Sequence, residues 1–354
     1  MKKLIIPIAI VLIIPIVLAC LVAIVDPLQV YRKPSWYQPF LYANDVAQVA
    51  GVAKNYSYDT AIIGGEISAN MPANYLKTEF ELRPVNLAIK GSTAYEQYWT
   101  AAAAIDGGRV KNIIWELDYS AFQGDIKTMS KQNSSFRKYL YNNNPFDDLA
   151  YLLSPTQIAN SFYVLAHLKS YDDNQSQVDI ANWNNRYMPL TEDILGADAV
   201  REGFKSALDN GEFTPSDDML NNFDSEKLQA SFDANVLQLV KDNPDIKFYF
   251  WTPAYSVLEY IALEKQGLLE NNLEFTKYSF IQLNSIKNVK FVDFRALYKL
   301  VTDFTLYTDY RHYTSEVAHT LTDLIWAGPK TGGSNFNKNQ ELLRELINTE
   351  AQNW

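Results

Sequence analysis

The chain has 354 residues, 47% of them hydrophobic, and a formal net charge of −10. With no basic cluster beyond the first residues, this balance argues against nucleic acid or anionic lipid headgroups as partners of its bulk. Cys20 is the single cysteine, which excludes an intramolecular disulfide and a cysteine-ligated zinc site.

Leu4 to Val25 is an unbroken apolar run, preceded by Lys2 and Lys3 and followed by Asp26 and Pro27. A helix rises about 1.5 Å per residue, so about 20 apolar residues cross a hydrocarbon core. The two lysines keep the N-terminus cytoplasmic by the positive-inside tendency. Pro7 and Pro15 lie within the run, where proline is tolerated. The competing reading is a cleaved signal peptide, whose apolar region is usually only about 7–15 residues long. Here the run continues past Ala19, although Val17-Leu18-Ala19-Cys20 loosely resembles a lipoprotein box. The expectation is an uncleaved single-pass anchor with the main domain extracytoplasmic. Such a domain, without disulfides, suits a bacterial envelope protein and must be held by its core. The chain after the anchor is long enough for one large domain or two small ones.

Residues 26–55 read as a membrane-proximal strap rich in proline and aromatics (Pro27, Pro34, Trp36, Pro39), then a helix from Asp45 to Ala53. Five apolar runs read as strands: Tyr58 to Gly65, Pro84 to Ile89, Val110 to Leu117, Ile246 to Trp251 and Val289 to Phe294. Helical segments such as Ala94 to Ile105 alternate with them. That alternation predicts an α/β fold, a three-layer parallel sheet flanked by helices, over residues 56–330. The stretch of about 130–222 is rich in Asn, Asp, Tyr and Ser and reads as a helical insertion, including Pro155 to Leu168. Residues 331–354 read as a polar surface helix. The 23 tyrosines and 7 tryptophans can serve the core or stack on sugars.

In an open parallel sheet, sites form at the carboxyl ends of strands. Three such ends carry loaded turns: Gly64-Gly65-Glu66-Ile67-Ser68-Ala69-Asn70, Gly91-Ser92-Thr93 and Asp118-Tyr119. A fourth element is Asp309-Tyr310-Arg311-His312-Tyr313. An Asp three residues before a His can orient that imidazole as a general base.

These elements, in this order, resemble the SGNH/GDSL hydrolase superfamily, in particular its membrane-anchored extracytoplasmic branch. That branch is similar to the D-alanyl-lipoteichoic-acid protein DltD and to polysaccharide acetylation factors. The resemblance covers most of the chain: an N-terminal anchor, Asp26-Pro27 with Tyr31 shortly after, a nucleophile turn after a strand, and a closing Asp-x-x-His. It implies an SGNH-like, flavodoxin-like fold and ester hydrolysis or O-acyl transfer on cell-envelope polysaccharide or teichoic acid, with no cofactor. It also implies a membrane-bound O-acyltransferase as partner. By resemblance His312 is the general base, Asp309 its orienting partner, and Gly65 and Gly91 belong to the oxyanion or substrate-binding set. Asp118 stands where the family often has Asn or Asp.

The pattern breaks at the nucleophile, where Glu66 replaces serine. Glutamate attack would give an anhydride, and its charge would repel a forming oxyanion. Ser68 is the alternative nucleophile, two residues on. Three readings stand: a degenerate glycan-binding or scaffold relative, a different residue or mechanism, or a substitution in this copy. Gly64-Gly65 could also be only a tight turn, Ser68 or Asn70 only a helix cap, and His312 a satisfied structural histidine. His167 and His319 read as structural. A zinc site from His312, Asp309 and Glu66 is disfavoured, because no ligand pair has a typical metal spacing.

Overall fold

In a computed structural model, the described residues are 2–41, 46–144, 146–168, 180–181, 183 and 196–354, with side chains of the first helix from residue 13 onward. Chain order is α1 (Lys2–Val25), α2 (Gln48–Asn55), β1 (Thr60–Ile63), α3 (Glu66–Ala69), α4 (Ala73–Phe80), β2 (Pro84–Asn86), α5 (Ala94–Asp106) and β3 (Asn112–Glu116). Then come α6 (Leu149–Leu152), α7 (Pro155–Ala166), α8 (Gly196–Asp209), α9 (Asp217–Asn222), α10 (Ser225–Phe232), α11 (Gln238–Asp242) and β4 (Lys247–Trp251). The chain closes with α12 (Val257–Lys265), α13 (Leu269–Asn284), β5 (Val289–Val292), α14 (Tyr298–Val301), α15 (Ser315–Trp326) and α16 (Gly333–Glu350). Residues 169–179 and 184–195 of the expected insertion lie outside the described residues.

The five strands are all parallel, in the order β2-β1-β3-β4-β5. Every residue of β1, β2 and β3 is buried. This is the physical cause of their continuous apolar runs: a strand covered on both faces gains nothing from alternation. Helices pack on both faces. On one, Trp115 stacks on Phe250 and donates its indole N–H to Gln97 of α5 at 2.9 Å, while Phe280 of α13 meets Phe291. On the other, Trp326 of α15 stacks on Tyr249, and the Tyr75 hydroxyl of α4 donates to Asp323 of α15. The expected α/β fold with a parallel sheet is therefore present. Because the strand order reverses between β1 and β3, the connections leaving their carboxyl ends turn to opposite faces of the sheet and open a crevice there.

The expected polar C-terminal helix is α16, and it docks through an apolar stripe. Phe336, Leu343 and Ile347 are buried, with Phe336 stacked 4.1 Å from Phe280.

Helix α1 covers the N-terminal apolar run, and its last turns pack on α6 and α7. Among the described residues no helix is long and apolar enough to cross a membrane, and residues 1–12 have no described side chains. Asp26 ends α1 in the left-handed region at φ +50° and is almost wholly buried. Its carboxylate accepts from the backbone N–H of Val30, Tyr31 and Arg32 and from the Tyr151 hydroxyl, at 2.8–3.1 Å. Arg32 turns back and donates to the Ala23 and Ile24 carbonyls, satisfying groups that the helix end leaves open.

Candidate active site

The turn after β1 is built around an absent side chain. Gly64 has φ +154°, and a Cβ there would lie 2.3 Å from Ser68 Oγ and 2.6 Å from Glu116 Oε2. Only glycine lets the chain pass between them. Helix α3 then begins at Glu66, where no local side chain caps it. Instead Glu116, the last residue of β3, accepts from Gly65 N at 2.9 Å and Ser68 N at 3.0 Å. A carboxylate at a helix start satisfies open N–H groups and complements their partial positive charge. Burial and then the neighbouring Asp118 charge push the Glu116 carboxyl up to about 7, against the hydrogen bonds from Ser68 and Gly65. Glu116 Oε1 is buried and makes no hydrogen bond within the described residues.

Ser68 is fully buried and its hydroxyl faces the Ile63 carbonyl. Serving as the alternative nucleophile would require α3 to move, because no part of this hydroxyl meets solvent.

Glu66, at the expected nucleophile position, points outward. One of its oxygens accepts from Lys90 Nζ at 2.7 Å, and the other lies 3.8 Å from His312 Nε2. The imidazole is set by Asp309: Oδ2 lies 2.7 Å from His312 Nδ1, and Oδ1 accepts from the backbone N–H of Arg311 and His312, both at 2.7 Å. Nδ1 therefore carries a proton and Nε2 faces Glu66. Burial opposes the charge on His312, and the Asp309 hydrogen bond, then the Asp309 and Glu66 charges, outweigh it. The His312 pKa is raised above the ordinary histidine value. Burial pushes the Asp309 carboxyl up, and His312 outweighs that to hold it below the usual range.

The loop that carries this pair is held from α12. Ser256 donates its hydroxyl to the Tyr310 carbonyl at 2.6 Å. Arg311 lies 3.3 Å from the buried Glu259 carboxylate and 5.0 Å above the Tyr255 ring. Thr308 N donates to the His312 carbonyl, closing the turn.

These parts converge on a cavity of about 790 Å³ lined by Gly65, Glu66, Gly91, Glu116, Asp118 and His312 among others. Its size falls in the range of small-ligand sites. Gly91 is left-handed at φ +60°, and a Cβ there would meet Gln132 Oε1 at 2.5 Å. The Ser92 hydroxyl and Ile89 N both donate to the Gly64 carbonyl, tying the second turn to the first. Asp118 lines the cavity, but its carboxylate is engaged by the N–H and hydroxyl of Ser120. Of the site residues named from sequence, Ser68 and Asp309 are set behind the cavity wall, Asp309 reaching it through His312. Among the described residues no group of three or more His, Cys, Asp or Glu side chains is placed to hold a metal ion.

Sequence reasoning missed Glu116, Lys90 and the Glu259–Arg311 pair. Glu116 left a trace, since an acid stands inside the buried run Ile113-Ile114-Trp115-Glu116-Leu117. Lys90 left none, because its partner is fixed only by the closing of two turns.

No protein-family model matches the chain, and no curated protein matches it in sequence.

Chemically, His312 is an imidazole between two carboxylates. Among the described residues no hydroxyl or thiol hydrogen-bonds its Nε2. Its Nε2 faces the Glu66 carboxylate and its Nδ1 faces Asp309.

Proposed function

We propose that this chain is a single-pass, membrane-anchored protein whose extracytoplasmic domain has an SGNH-hydrolase-like, flavodoxin-like fold. Its cavity binds acyl-ester-bearing cell-envelope polysaccharide or teichoic acid without forming an acyl-enzyme. The observation that carries the reading is Glu66 facing His312 Nε2, where an SGNH enzyme would present a serine hydroxyl. The strand order 2-1-3-4-5 supports the fold, and the apolar run at Leu4 to Val25 supports the anchor. A membrane-bound O-acyltransferase is the partner that this reading supplies with bound glycan.

A second reading has the cavity hydrolyse the ester with Glu66 drawing a proton from water, or transfer its acyl group with Glu66 drawing a proton from the acceptor hydroxyl. The Glu66–His312–Asp309 line favours it, because a carboxylate next to an imidazole can relay that proton.

The full chain in lipid nanodiscs, assayed with 4-nitrophenyl acetate and with O-acetylated glycan, separates the two. Wild type should retain glycan, and wild type and His312→Ala should hydrolyse ester at equal background rates. Glu66→Ser should gain hydrolysis and fluorophosphonate labelling, and adding His312→Ala to it should remove about 100-fold or more of the gained rate. Wild-type hydrolysis that depends on His312 would establish the second reading instead.

A further inference from the structure

The region between β3 and β4 contains a surface that the cavity does not use. From Leu149 to Leu168 the sequence has no Asp, Glu, Lys or Arg, in a chain that is 20% charged. This segment is nevertheless on the outside. Phe162 is 55% exposed, and Leu149, Leu153, Tyr163 and Leu168 are exposed as well. Apolar residues scattered singly on a surface need no explanation, but a contiguous uncharged stretch marks an interaction surface.

The opposite side of the same segment indicates what covers it. Helices α6 and α7 pack along α1. Val164 and Leu165 of α7 meet Leu21 and Val25 of α1, together with Tyr37 and Phe40 of the strap. The exposed side of α1 itself is aliphatic, with Ile13, Ile14, Ile16, Val17 and Ile24 open. A run from Leu4 to Val25 is about 33 Å long as a helix, close to the thickness of a hydrocarbon core of about 30 Å. Its last turn, where α7 packs, then lies at the outer boundary of that core. Arg32, which donates to the carbonyls of Ala23 and Ile24, marks the level of the headgroups. Anything that packs sideways on Leu21 and Val25 is held at the same depth.

We propose that α6 and α7 lie in the outer membrane interface beside the anchor, with Leu153, Phe162 and Tyr163 seated among the lipid headgroups and upper acyl chains. The occupant of this face is the bilayer. An uncharged face gains from apolar burial alone, which a zwitterionic surface supplies as well as an anionic one. The inference rests on the anchor reading above. It adds that the domain touches the membrane through a second element and is not suspended from a single helix.

The test uses the full chain with Cys20→Ser and one environment-sensitive probe at a time, on Phe162→Cys, Ile13→Cys or Ile281→Cys. Ile281 is equally exposed, on α13. The chain is placed in phosphatidylcholine vesicles carrying a nitroxide either high or deep on the acyl chain, and iodide serves as the aqueous quencher. Quenching at Phe162 by the shallow nitroxide, and at Ile13 by the deep one, should each exceed that at Ile281 by about twofold or more. If Ile13 is not quenched from the lipid, the anchor reading falls and this inference with it. If Ile13 is quenched and Phe162 behaves like Ile281, the anchor stands and the interfacial placement is overturned. Shielding of Phe162 from both quenchers would show that protein covers the face, and would also overturn it.

Discussion

Glu116 decides more about the site than any residue expected to do chemistry there. It is buried at the end of β3, and one of its oxygens holds two N–H groups of the turn that presents Glu66. The folded carboxyl is raised from 4.5 to about 7, so between those values the folded chain keeps a proton that the unfolded chain has lost. Stability must therefore fall as pH rises from 4.5 to about 7 and level off above it. The linked effect is at most roughly 3 kcal/mol, since one pKa unit is about 1.4 kcal/mol. Glu116→Gln keeps an acceptor for Gly65 and Ser68 and removes the titration. Thermal unfolding at pH 5 and pH 8 should show the variant gaining on wild type at the higher pH. A constant difference between the two proteins would mean that Glu116 stays ionised across this range.

The strands were legible because each is an apolar, β-branched or aromatic run between turn residues, and burial on both faces makes such runs continuous. Tyr58 to Gly65 contains β1, and Val289 to Phe294 contains β5, each trimmed where the chain leaves the ladder. Helix α3 was less legible. Sequence reasoning allowed a helix start at Ser68, whereas the helix starts at Glu66 because a carboxylate 50 positions later caps it across the β1–β3 register. Helices capped locally can be read in advance: Thr93 and Glu96 form a capping box at the start of α5. A remote cap depends on the sheet already being assembled. The same dependence sets Lys90 on Glu66 and Arg311 on Glu259. The turn itself makes a prediction at this scale. Gly64→Ala would drive a methyl into Ser68 and Glu116, and overpacking of this kind costs about 1–3 kcal/mol. Gly65→Ala has open space, with Glu116 Oε2 the nearest atom at 3.8 Å. Urea denaturation should therefore rank Gly64→Ala well below Gly65→Ala. Equal stability would mean that the turn relaxes without cost.

Across the whole molecule, α1 is joined to the strap and to α6 through Asp26. Its carboxylate gathers three backbone N–H groups of the strap and the Tyr151 hydroxyl of α6, while its own N–H continues α1 by donating to the Val22 carbonyl. The link is internal, with Leu28 N donating to the same Tyr151 oxygen and the Tyr37 hydroxyl closing on the Val25 carbonyl. Asp26→Ala strips the acceptor from four donors and places alanine in the left-handed region, where Asp and Asn are better tolerated. At about 1–3 kcal/mol for each buried group left unpaired, the loss should be about 3 kcal/mol or more. Asp26→Asn keeps the backbone preference and one acceptor oxygen, so it should fall between wild type and alanine. Thermal unfolding of the full chain in detergent gives the ranking. Limited proteolysis adds the location, because loosening of Asp26 should expose the strap at Arg32 and Lys33 before any site in the sheet. First cleavage within the sheet domain, with the strap intact, would mean that α1 and the domain are joined by other contacts.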